Sequence, residues 1–269
     1  MNEASARLES LLAFWLDAGA EVALASTPQD RTRPISGAPS PHASQPKLPR
    51  RGTQEASPGG PDRDQALAQA WRIAKGAADL DSLAAAIAAF EGCPLKGMGA
   101  RQAVFYRGAA DAPIMIVGEG PGAEEDLQGA PFVGRAGRLL DRMLGAAGLN
   151  GRVFITNTVF WRPPGNRTPS PAEQAVCAPF LERAIELVKP RLLLLAGAAA
   201  TQSVLRQKGG ILSLRGRWSE WASADDATRL PALPTLHPAF LLRTPAAKKM
   251  AWADMLSLAA RLDEIEQVR

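Results

Sequence analysis

The chain has 269 residues, 46% of them apolar and 22% charged, with a net charge of +4. That length allows one large domain or two small ones, and the apolar share is enough for a core that needs no staples. Two cysteines, Cys93 and Cys177, exclude a disulfide scaffold, and no apolar run approaches the ~18–20 residues of a membrane-spanning helix.

No basic start with an apolar stretch and a small-residue cleavage site is visible near Met1, so the expected address is the cytoplasm. The mild positive charge suits a polyanionic partner without requiring one. In Ser5–Ala20, residues Leu8, Leu11, Leu12, Trp15 and Leu16 recur at helical spacing, which predicts an N-terminal helix within residues 1–26. Residues 27–64 hold eight prolines and no aromatic residue, a composition that cannot bury enough apolar surface to offset ordering entropy. This stretch, with His42 and the basic run Lys47–Arg51, is expected to be a solvated linker.

From residue 65 to 269 the pattern is α/β. Helices are predicted over Ala66–Gly76 and Leu80–Phe90, then a buried strand at Pro113–Val117 and a helix near Ala136–Ala147. A second strand, Val153–Thr156, precedes a helix over Pro171–Val188, whose start carries Ser170 and Glu173 at capping-box spacing. A third strand, Arg191–Ala196, leads into a short helix from Ala198. A fourth strand, Ala232–Leu236, and a helix over Ala247–Ile265 complete the chain. Alternating strands and helices imply a three-layer α/β/α domain around a mainly parallel four-stranded sheet. Ligands of such sheets bind beyond the carboxyl ends of the strands.

Three strand ends run into unusual loops. The first reads Gly118-Glu119-Gly120-Pro121-Gly122-Ala123-Glu124-Glu125-Asp126 and continues to Pro131-Phe132-Val133-Gly134-Arg135. Its glycines allow close backbone approach to a ligand. The G-x-G-x-x-G dinucleotide spacing is not met, and four carboxylates stand where a pyrophosphate needs positive surroundings, which argues against a Rossmann-type nucleotide enzyme. Phe132 is either core or an aromatic face for a planar ring. The second loop, Asn157 to Arg167, opens on an amide that presents one donor and one acceptor in a plane, or that caps its own turn. The third, Leu236-His237-Pro238-Ala239-Phe240-Leu241-Leu242-Arg243, carries the single histidine of residues 65–269 and is followed by Lys248 and Lys249.

The stretches GEGPGAEED with PFVGRAGRLLD, NTVFWRPPGNRTPSPAE with CAPFL, and LHPAFLLR with a terminal K-K-x-x-W, in this order, resemble the type-4 uracil-DNA glycosylases over roughly Phe90 to Leu262. The resemblance implies hydrolysis of the N-glycosidic bond of deoxyuridine in DNA, with the base flipped into a pocket. Phe132 would stack on the uracil, Asn157 would read its O4/N3 edge, and backbone at Glu119 and Gly120 would line the pocket. His237 would hydrogen-bond uracil O2 as negative charge develops there. Glu125 and Asn166 match positions associated with the attacking water and the cationic sugar. Glu119 could share that role, and the sequence leaves open which carboxylate serves. Leu241 or Leu242 would wedge into the vacated stack. Arg135, Arg162, Arg167, Arg243, Lys248 and Lys249 are candidates for phosphates. The implied partner is uracil-containing DNA, met by a monomer, with no membrane. A catalytically inactive DNA-binding module on the same fold is the alternative.

The family holds a four-iron cluster on four cysteines. Here two of those positions keep a thiol, Cys93 and Cys177, while Phe90 and Trp161 stand at the other two. Two thiolates are too few for such a cluster. The expectation is no cofactor and no metal, with the two aromatic residues filling the space.

Overall fold

A computed structural model describes residues 61–267. The predicted N-terminal helix and nearly all of the linker lie outside the described residues. The helices are α1 (Pro61–Gly76), α2 (Leu80–Ala89), α3 (Ala123–Gln128), α4 (Arg135–Ala146), α5 (Pro171–Val188), α6 (Ala198–Leu205), α7 (Ile211–Leu214), α8 (Pro238–Arg243) and α9 (Lys248–Gln267). The strands are β1 (Arg107–Gly108), β2 (Ile114–Gly118), β3 (Val153–Asn157), β4 (Leu192–Ala196), β5 (Ser219–Ala222) and β6 (Arg229–Thr235).

The sheet runs β1-β3-β2-β4-β6-β5. Its four inner strands are parallel and are the four expected from sequence. The correction is at the edges, where β1 and β5 add antiparallel strands and bring the total to six. Neither carries a readable signal. β1 has two residues, one of them glycine, and β5 reads SEWA, with Glu220 exposed at the sheet edge. β6 also starts earlier than expected, because Arg229–Pro231 extend along β5 despite a proline, which edge pairing tolerates. Likewise α1 begins at Pro61 rather than Ala66, since proline at a first helical position forfeits no bond.

Side chains alternate across each inner strand, and both faces are apolar. Met115, Val117, Phe154, Leu193 and Leu195 pack with α1, α2 and α5, whereas Ile114, Ile116, Ile155, Leu192 and Leu194 pack with α4 and α9. Each such fully buried side chain contributes about 1.5–3 kcal/mol. The Ser170 capping box forms as read: Ser170 Oγ accepts from the Glu173 N–H (3.3 Å) and Glu173 Oε2 accepts from the Ser170 N–H (2.7 Å). The parallel arrangement delivers the carboxyl ends of β2, β3, β4 and β6 to one edge of the domain.

Candidate active site

At that edge lies a cavity of about 510 Å³. Glu119, Gly120, Glu125, Phe132, Asn157, Asn166 and His237, scattered over more than a hundred residues of sequence, all line it, as do Arg167 and Arg243.

Gly118, the last residue of β2, pairs with Asn157, the last of β3. A methyl group at Gly118 would lie 2.4 Å from Asn157 Oδ1 and 2.5 Å from the Phe132 ring, so ring and amide close over a backbone atom that has room for no side chain. The Thr158 N–H donates to the Gly118 carbonyl (3.0 Å) and its hydroxyl to the Glu119 carbonyl (2.6 Å), which fixes the Glu119–Gly120 backbone. Asn157 itself is 1% exposed.

Phe132 adopts a left-handed backbone, φ 54°. For a residue with a Cβ this costs roughly 1–2 kcal/mol, so the surroundings must hold it. Part of the hold is Glu125. Its Oε1 accepts from the Val133 and Gly134 N–H groups (3.1 and 2.9 Å) and its Oε2 from the Gly122 N–H (3.1 Å). Gly137 on α4 lies so close that a methyl there would fall 1.6 Å from the Phe132 carbonyl oxygen.

His237 precedes α8, and its Nδ1 accepts from the Ala239 N–H (3.1 Å). With Nδ1 as acceptor, the neutral ring carries its proton on Nε2. Burial, with a smaller contribution from Arg243 opposed by Glu125, pushes the imidazole down to about 4, so at neutral pH the ring is an uncharged donor. Its ring centroid is 5.5 Å from that of Phe132. Gly197, at the end of β4 with φ 95°, supports it from behind, its ideal Cβ position being 3.0 Å from the His237 Cβ.

A family model for the uracil DNA glycosylase superfamily matches residues 105–256. The chain belongs to the uracil-DNA glycosylase superfamily. It is 42% identical over 153 residues to a type-4 uracil-DNA glycosylase of Thermotoga maritima, covering 56% of this chain and 77% of that one. It is 38% identical to one from Sulfurisphaera tokodaii (56% and 71% covered) and 37% identical to one from Pyrobaculum aerophilum (63% and 88% covered).

Around this superfamily pocket the expected rim residues divide. Arg243 and Lys248 are exposed beside the third loop, and Arg135 is exposed at the start of α4. Arg162 donates through Nε to Asn166 Oδ1 (2.7 Å), so it orients the amide of a cavity residue. Arg167 is forked onto Glu173 (2.8 and 2.6 Å). Burial raises the Glu173 carboxyl, but Arg167 and the Ser170 N–H outweigh it and hold the group below its usual range. The choice between the two leucines narrows. Leu241 is fully buried, because α8 turns it inward against Leu139, Leu236 and Ala251. Of the two leucines only Leu242, half-buried, reaches the surface.

In the core beneath α1, α2 and α5, the Cys93 and Cys177 sulfurs are 3.8 Å apart and both residues are buried. Burial pushes the Cys177 thiol well above its usual range. Phe90 and Trp161 are each 1% exposed, and Phe90 meets Phe180 edge-on with centroids 5.1 Å apart. Gly118, Gly137 and Arg107 were not singled out from the sequence. The two glycines stand in the quoted motifs and could have been found by asking where a Cβ is forbidden. Arg107 has no such signal.

Proposed function

We propose that this protein removes uracil from DNA by hydrolysing the N-glycosidic bond of deoxyuridine, as its relatives' name indicates for them. The observation that carries the reading is the convergence of the Phe132 ring, the Asn157 amide and the Nε2–H of His237 on one cavity. A base within a duplex is inaccessible, so the nucleotide is flipped out, and the cavity is of the size that admits a small planar ligand. Phe132 provides the stacking wall. Asn157 donates to O4 and accepts from N3–H, a pairing that cytosine, with an amine at C4 and no N3 proton, cannot match. His237 donates to O2. As the bond from N1 to the sugar breaks, its electron pair passes to the base, O2 gains negative charge, and water adds at the sugar carbon, leaving an abasic site and uracil. A donor aimed at developing charge is worth about 2.7–4 kcal/mol. Glu125, whose oxygens are fixed in place by backbone N–H groups, lines the cavity with Glu119 and Asn166, and these are the groups that would hold the water and meet the cationic sugar. Arg243, Lys248 and Arg135 would meet phosphates, with Leu242 as the wedge.

The family's four-iron cluster does not fit the residues here. It requires four thiolates. Cys93 and Cys177 supply two sulfurs, Phe90 and Trp161 lie in the same buried apolar cluster, and the described residues contain no group of three or more His, Cys, Asp or Glu placed to hold a metal. Each buried aromatic residue contributes about 3–5 kcal/mol relative to alanine, so packing replaces the cluster as the local support. The purified protein is therefore expected to be colourless and iron-free. A brown preparation with about four irons per chain by metal analysis would overturn this.

The function is tested with a single-uracil oligonucleotide, treated with alkali after incubation. Cleavage at the uracil position, with free uracil released, is expected. Binding to the oligonucleotide without cleavage would indicate a non-catalytic DNA-binding module instead.

A further inference from the structure

The Phe132 wall stands on a backbone conformation that does not hold itself. The N–H groups after it are held by Glu125. The carbonyl before it and its own carbonyl are held from the opposite direction, by a residue on an edge strand twenty-five positions earlier. Arg107 Nε donates to the Pro131 carbonyl (2.7 Å) and Nη2 to the Phe132 carbonyl (3.2 Å), while Asp141 on α4 accepts from the same Nη2 (2.6 Å). The fixed planar fork of a guanidinium suits this task, because it addresses two successive carbonyls and a carboxylate at once, which an ammonium on a flexible stem does not.

We propose that Arg107 is a positioning residue for uracil excision, which it serves by locking Phe132 in the left-handed conformation that aims the ring into the pocket. The proposal rests on the uracil-excision reading. Arg107 touches neither the cavity nor the reacting atoms, and it lies on a two-residue strand at the sheet margin with its side chain 27% exposed. Its loss removes the packing of a largely buried stem, which the double-mutant cycle separates from the clamp. It frees the two carbonyls, and the peptide between Pro131 and Phe132 can then rotate out of the disfavoured region. Because the ring is in van der Waals contact with Gly118, that rotation displaces the face on which a base would stack.

The test is a double-mutant cycle on the single-turnover rate with a uracil-containing duplex, using Arg107→Ala, Phe132→Ala and the double variant. The second readout is the ¹⁹F spectrum of protein carrying 4-fluorophenylalanine at position 132. Arg107→Ala is expected to slow excision roughly ten- to fiftyfold with Phe132 present and less than twofold with Phe132 removed, with DNA affinity unchanged. The fluorine resonance should broaden or split in the same variant. Asp141→Asn, which loosens the guanidinium without removing it, should give a smaller loss with the same dependence on Phe132, and it covers the case in which Arg107→Ala does not fold. An equal fold-loss in both backgrounds, or an unchanged fluorine resonance, overturns the proposal. Absence of uracil release by the unmodified protein instead overturns the functional reading, and the fluorine spectrum still decides the clamp.

Discussion

His237→Ala is expected to lower the single-turnover rate of uracil release by 10²–10³, with little change in affinity for uracil-containing DNA. The split follows from when the interaction strengthens. O2 of a bound uracil carries modest charge, and most of an anion's charge arrives as the bond breaks, so the Nε2–H stabilises the transition state more than the complex. The Ala239 N–H occupies Nδ1, which leaves Nε2–H as the donor, and the imidazole is held at about 4. The rate should therefore show no inflection near 6.5 and persist above pH 8. The same shift predicts a stability effect of known sign. In the unfolded chain the ring takes up a proton near 6.5, while the folded protein resists until about 4, so stability falls as pH drops through that window and is fully present above it. Melting curves of wild type and His237→Ala should converge across that interval. A loss of less than threefold in rate with a lowered melting temperature would mean that His237 only caps α8.

Asn157→Asp should reduce uracil release by about 10–200-fold and introduce measurable release of cytosine, the range that one good bidentate base contact commands. A carboxylate only accepts hydrogen bonds. It faces uracil O4 with repulsion, yet can accept from the amine that cytosine carries there. The site adds a pH signature. Burial at this strand end raises a carboxyl pKa, and the introduced carboxyl, once protonated, can donate to O4 while accepting from N3–H. Residual uracil activity of the variant should therefore rise as pH falls, opposite to any acid loss in the parent. Parallel assays on uracil, cytosine and thymine substrates between pH 5 and 8 check both points. Undiminished uracil release would remove Asn157 as the reader.

The inner sheet was legible because its strands are near-continuous apolar runs, IMIV, VFIT, LLLL and the segment before Leu236, as strands buried on both faces must be. The cavity was legible for the same reason: parallel strands send their carboxyl ends to one edge, so three polar loops at strand ends are neighbours before any coordinates exist. What escaped were properties of partnership. Nothing in the run Pro238 to Arg243 says which leucine α8 turns inward, because six residues contain too few turns to define a face. The sequence does not show that Glu173 grips Arg167. Nor does the sequence show that three backbone N–H groups fix the Glu125 oxygens. Arg107 has no local pattern at all, since its meaning lies in carbonyls across the sheet edge. Side-chain chemistry is written in sequence, but the competing partner that uses it up is not.

The bare backbone at Gly118 has an evolutionary reading. The ring that would grip a base by its face and the amide that would inspect its edge pivot on the same atom, so neither can be retuned by a substitution there without disturbing the other. A larger or differently substituted base would have to be met elsewhere in the lining, for example at Pro163 or Ala136, since a Cβ at Gly120 would itself fall 2.9 Å from Val159. On the uracil-excision reading, substrate breadth is thus constrained at Gly118, where ring and amide meet.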